Sequence, residues 1–309
     1  MPSVTTGTAV LLPGAGSDEE FVSSAFARPL AAVGFRLVAI PPTPGPDLIS
    51  HYLRALDRVA TATGPILVGG VSLGGHLAVE WALCNQHRCT GLLAALPAWC
   101  GDPGDAPAAV AARWNATLVR AQGLDAALAI ATRDTPAWLT AELNRSWRRH
   151  GAGLAVSLAA AAAHPAPTEE QLRGLTVPVG IAACTDDPVH PPEVAGRWVR
   201  ALPQVARRDV TLSLLGADPE SLGRAAVLAW LRAAHPRHAG QGTTDHRTGD
   251  RERGDGAVSE PFPRARHTQD RARTEAPVGP PVRGTGRLPT AVSAGPAASA
   301  GPAGPAASA

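Results

Sequence analysis

The sequence predicts an α/β protein: a mostly parallel central sheet with helices on both faces, a helical lid insertion and a disordered C-terminal tail. Three observations carry this. Short apolar, β-prone runs alternate with segments of helical periodicity, the pattern of a parallel sheet covered on both sides. A G-x-S-x-G sequence stands between one such run and the next helix. Composition changes abruptly near residue 236, which divides the chain into a domain over 1–236 and a tail over 237–309.

The elements follow in order. Thr8 to Leu12 (TAVLL) and Phe35 to Ile40 (FRLVAI) are β-prone runs, each ended by a proline turn. Asp47 to Thr61 has helical spacing, with Leu48, Tyr52, Leu56 and Val59 on one face. Pro65 to Val71 reads as a buried strand, and Gly75 to Cys84 as a helix. Gly91 to Leu96 and Val177 to Cys184 read as further strands. Pro192 to Leu202 is a helix, Val210 to Leu215 (VTLSLL) the expected last strand, and Pro219 to Ala234 the closing helix with Asp218 as its cap. Between Pro107 and His164 come consecutive helical stretches without a strand. They carry Trp114, Trp138 and Trp147 and make a lid of about 101–165 above the strand ends.

The 309 residues carry 28 basic against 26 acidic side chains, and every basic one is arginine. Before residue 236 the charges nearly cancel, which argues against a nucleic-acid surface. No apolar stretch is long enough for a membrane span, and the N-terminus lacks the pattern of a signal peptide. The four cysteines (Cys84, Cys89, Cys100, Cys184) show no metal-type spacing and fit a reducing, cytoplasmic setting. No histidine cluster has the spacing of a metal site, and no phosphate or dinucleotide fingerprint occurs. The tail is rich in Gly, Pro, Ala and polar residues, with an Arg cluster over Arg247 to Arg273 interleaved with acids. Too little apolar surface is present there to offset ordering entropy.

The chemistry centres on Gly70-Val71-Ser72-Leu73-Gly74. Small residues two before and two after a serine let a strand turn sharply into a helix and lift the hydroxyl to the helix N-terminus. The loop Leu11-Leu12-Pro13-Gly14-Ala15-Gly16-Ser17 follows the first strand. Acyl transfer needs two backbone donors for its oxyanion. The Leu73 and Ala15 amides are the candidates, against an ordinary strand-to-helix turn at the loop.

With these motifs and the segment Cys184-Thr185-Asp186-Asp187-Pro188-Val189-His190-Pro191, residues 8 to about 236 resemble the α/β-hydrolase superfamily. The resemblance implies Ser72 as nucleophile, Leu73 and Ala15 as oxyanion donors and Asp187 as triad acid, with Asp186 its neighbouring alternative. In one respect the chain departs from the family: the loop after the expected last strand, Leu214 to Glu220, holds no histidine. His235 and His238 follow the closing helix and are expected to lie too far away. His190 is the first candidate for the base, oriented by Asp187 or by Asp218, which stands where the histidine usually does. The alternative is that His190 is a packing residue before Pro191. His76 is expected to pack beneath the elbow, and His51 and His87 to lie at the surface. His150 and His164 flank the last lid helix. Arg145, Arg148 and Arg149 read as a solvated face or a contact to an anionic substrate group.

These readings imply a serine hydrolase of a small ester, thioester or related acyl substrate, needing no cofactor or metal and having no nucleic-acid or membrane partner. Two alternatives stand beside it. One is a weakened or non-catalytic hydrolase-fold protein that binds a ligand or partner; the other is a cofactor-free haloperoxidase- or lyase-like reaction.

Overall fold

The computed structural model describes residues 7–235. The tail expected over 237–309, its Arg cluster and His238 lie outside the described residues.

Six strands form one sheet in the order β2-β1-β3-β4-β5-β6, and every neighbouring pair is parallel. The strands are β1 (Gly7–Leu12), β2 (Phe35–Ala39), β3 (Ile66–Val71), β4 (Cys89–Ala95), β5 (Val179–Cys184) and β6 (Val205–Val210). Helices connect them: α1 (Glu19–Ala31), α2 (Leu48–Thr63) and α3 (Leu73–Cys84). A helical stretch joins β4 to β5, with α4 (Pro107–Gln122), α5 (Leu124–Ala131), α6 (Ala137–His150), α7 (Leu154–Ala163) and α8 (Glu169–Arg173). Then come α9 (Pro192–Ala201), α10 (Leu212–Ala217) and α11 (Glu220–Ala234).

The strand period of two divides the core. Val10 and Leu12 of β1 face one side, against Leu48, Tyr52 and Leu56 of α2, Leu77 of α3 and Trp198 of α9. Ala9 and Leu11 face the other, against Phe26 and Leu30 of α1 and Leu222 and Ala226 of α11. The lid helices α4 to α7 have a core of their own around Leu118, Leu128, Trp147 and Leu158.

Two elements differ from expectation. The last strand is not Val210 to Leu215: β6 ends at Val210 and Leu212–Ala217 is helical. VTLSLL is β-prone, yet Thr211 caps a helix there by accepting from the Leu214 amide at 3.2 Å. The true strand, VARRDV, carries three charges because β6 is an edge strand with little of its surface covered. Helix α1 was not anticipated. Its start signals are Asp18 as cap, accepting from the Glu20 and Phe21 amides at 3.1 and 3.2 Å, and Glu19 and Glu20 in the first turn. Among the described residues no helix is long and apolar enough to cross a membrane.

Candidate active site

In a parallel sheet, loops at the carboxyl ends of the strands share one edge, and ligands bind there. Three such loops meet here. The loop after β1 carries Gly14 to Ser17, the turn after β3 carries Ser72, and the loop after β5 carries Asp187 and His190.

Ser72 stands between β3 and α3 with φ 52° and ψ −117°. A non-glycine residue with positive φ costs on the order of 1–3 kcal/mol and persists only where its surroundings hold it. What holds it is close backbone packing. A Cβ on Gly74 would overlap the Leu12 carbonyl, and one on Gly70 would overlap both Gly74 and Leu12. The two glycines of G-x-S-x-G therefore permit β1, β3 and α3 to touch at this point. The Ser72 amide donates to the Ala95 carbonyl at 2.9 Å.

His190 and Ser72 are 118 residues apart in the chain, yet His190 Nε2 lies 3.1 Å from Ser72 Oγ. The other ring nitrogen, Nδ1, is 2.8 Å from Asp187 Oδ2. An ionised carboxylate only accepts, so Nδ1 carries the ring proton and Nε2 is free to accept from the serine hydroxyl. Asp187 Oδ1 accepts from the Val189 amide at 2.8 Å and the His190 amide at 3.3 Å. Burial opposes ionisation of Asp187. The His190 ring and the hydrogen bonds outweigh burial and hold the carboxyl below its ordinary pKa.

The other candidate acids are engaged elsewhere. Asp186 accepts from the Leu212 amide at 2.7 Å and from Cys184 Sγ at 3.2 Å. Asp218 accepts from the Glu220 amide at 3.0 Å and pairs with Arg224, at the start of α11. The structure does not bring Asp218 to His190: the Glu220 amide and Arg224 hold its carboxylate, and the N-cap of α11 is Pro219, not the expected Asp218.

Leu73 is the first residue of α3, so its amide lies outside the helical hydrogen-bond ladder. The Ala15 amide makes no hydrogen bond within the described residues. Leu73 follows Ser72 in the chain, and Ala15 and Ser72 line the same chamber.

That chamber has a volume of about 420 Å³ and lies between these loops and the lid. Trp114, Trp138 and Trp147 all line it, and Trp147 is also part of the lid core. The lid is tied to the β1 loop at three points. A Cβ on Gly16 would sit 3.0 Å from Trp147 Nε1. His150 donates from Nε2 to the Ser17 carbonyl at 2.9 Å. Arg145 Nη2 reaches Asp18 Oδ1 at 2.6 Å.

The three lid arginines are all paired. Arg145 binds Asp18 and Glu142, Arg148 binds Asp125 at 2.7 Å, and Arg149 binds Glu19. None of them lines the chamber, so neither a solvated face nor a substrate contact describes Arg145. His164 pairs with Glu80 at 2.8 Å. His76 is buried under the elbow and accepts from the Ala98 amide at Nε2, 3.1 Å away. Its ring centroid is 4.8 Å from that of Trp99 and 5.6 Å from that of Trp198. Burial, then the nearby His190 and His164, push its pKa down to about 3.

Solved structures of the same architecture are numerous. A thermophilic esterase from Thermogutta terrifontis superposes with a TM-score of 0.53 at 22% identity, over 75% of this chain and 92% of that one. A structure from work on carboxylesterases of Nitrososphaera gargenis gives 0.56 at 14% identity, over 68% and 85%. The putative non-heme bromoperoxidase BpoC from Mycobacterium tuberculosis gives 0.55 at 15% identity, over 74% and 93%. The chain has the α/β-hydrolase fold. No protein-family model matches the sequence. No curated protein matches it either. Within the α/β-hydrolase fold, the signal for His190 was its spacing from Asp187 in the loop after β5. Sequence reasoning missed α1, and with it the Asp18–Arg145 tie between lid and β1 loop.

Proposed function

We propose that this protein is a serine hydrolase of ester, thioester or related acyl substrates. The observation that carries the proposal is the relay Ser72 Oγ, His190 Nε2 and Nδ1, Asp187 Oδ2, at 3.1 and 2.8 Å.

Ser72 Oγ attacks the acyl carbonyl carbon as its proton passes to His190 Nε2. The carbonyl oxygen becomes an oxyanion held by the Leu73 and Ala15 amides. Collapse breaks the bond to the leaving alcohol or thiol, which takes the proton from His190. Water then gives a proton to His190 and attacks the acyl-serine, and the acid leaves as the proton returns to Ser72. Asp187 keeps the imidazole in the productive tautomer and stabilises its cationic form. The steps use no cofactor. Triads are recognised by geometry and roles, so the base can come from the loop after β5.

A fluorophosphonate probe tests this. Wild-type protein should be labelled and Ser72→Ala should not. His190→Ala should lower kcat/KM for an activated ester by about 10²–10⁴-fold, the usual contribution of a general base. Labelling that persists in Ser72→Ala, or full activity in His190→Ala, overturns the assignment. Absence of labelling in wild type would favour the ligand-binding alternative.

A further inference from the structure

The composition of the chamber wall goes beyond the reaction type. Ala112, Ile130, Trp138, Leu139, Leu143 and Leu158 present carbon over most of it. The charged side chains that line it are carboxylates, namely Asp134, Glu142 and the Asp187 of the relay, and no arginine does. Asp134 is exposed and forms no ion pair or hydrogen bond among the described residues. Glu142 is held by Arg145 through both oxygens, at 2.9 and 2.7 Å. That guanidinium also serves Asp18 at 2.6 Å and Glu20 at 3.4 Å, so one positive charge is shared among three carboxylates. On the lid side, the two charged side chains that line the chamber, Asp134 and Glu142, are both acidic. A carboxylate brought into the chamber would lose water, meet like charge and find no cation.

We propose that the chamber is an acyl-chain site selective for uncharged apolar chains of medium length. Asp134 and Glu142 turn away chains that end in a carboxylate. The proposal rests on the hydrolase reading for the identity of the chain as an acyl group. The apolar lining and a volume of about 420 Å³ set the length, within the range of sites that enclose a small organic ligand.

The test compares two esters of equal chain length, ethyl hexanoate and monoethyl adipate, which differ by a terminal methyl against a carboxylate. In wild-type protein, kcat/KM should favour ethyl hexanoate by about 100-fold or more. Across ethyl acetate, butyrate and hexanoate it should rise by about fourfold per methylene. Asp134→Asn should narrow the hexanoate-to-adipate ratio by at least threefold. Calorimetric titration of Ser72→Ala with the same pair reads the selection without turnover, and ethyl hexanoate should bind at least tenfold tighter. If the adipate ester is handled within threefold of the hexanoate ester, or if neither binds, the proposal falls. An unmoved ratio in Asp134→Asn overturns the role of that residue. Charge-selective binding to Ser72→Ala with no turnover of any ester by wild type would instead overturn the hydrolase reading alone.

Discussion

Ser72 shows how much a single residue can reveal. Its positive φ follows from the two flanking glycines, whose lack of a Cβ lets three backbone segments meet. The strain and the small neighbours were both legible in the five residues from Gly70 to Gly74. His76 was legible only in part. Its position four residues after Ser72 predicted burial beneath the elbow, but its hydrogen bond to the Ala98 amide comes from another loop. With a native pKa of about 3 against the ordinary 6.5, His76 stays neutral in the fold over that interval. There the unfolded chain binds a proton that the folded chain refuses. Its stabilising contribution is complete above pH 6.5 and falls with pH by up to about 1.4 kcal/mol per unit. His76→Gln should show a shallower loss of urea stability between pH 6.5 and 4 than wild type. Parallel curves would show that His76 does not set the slope.

At the scale of elements, α6 and the start of α1 meet directly through an ion pair. Asp18 is fully buried, caps α1 and pairs with Arg145, whose side chain remains 31% exposed. A cap is worth about 1 kcal/mol, and a charge-assisted hydrogen bond somewhat more. Asp18→Ala should therefore lower unfolding free energy in urea by about 1–3 kcal/mol. Asp18→Asn should cost less, because asparagine still caps; equal losses would assign the whole effect to Arg145. Chain positions 18 and 145 carry no shared pattern, so the pairing was not legible. The mistaken last strand has a related cause. VTLSLL has the propensity of a strand and VARRDV does not, but edge position and pairing to β5 decided which one joined the sheet.

For the whole molecule, one helix closes the fold. Helix α11 lies against β5 so tightly that a Cβ on Gly180 would overlap the Ala226 carbonyl and the Trp230 amide. Gly180→Ala should cost about 1–3 kcal/mol in urea unfolding, through displacement of α11. An unchanged midpoint would mean that the helix moves freely against the sheet.

The sequence by itself determined the alternation of strands and helices, the sharp turn at Ser72, the β1 loop and the helical stretch between β4 and β5, because each is written in local spacing and turn chemistry. It also placed His190 three residues from Asp187. Only the tertiary structure decided which acid His190 meets and how near it comes to Ser72. Those contacts depend on the order β3-β4-β5, which sets the ends of two non-adjacent strands on one edge of the sheet. Strand order is a property of long-range packing, and no local pattern encodes the 118 residues between the two side chains.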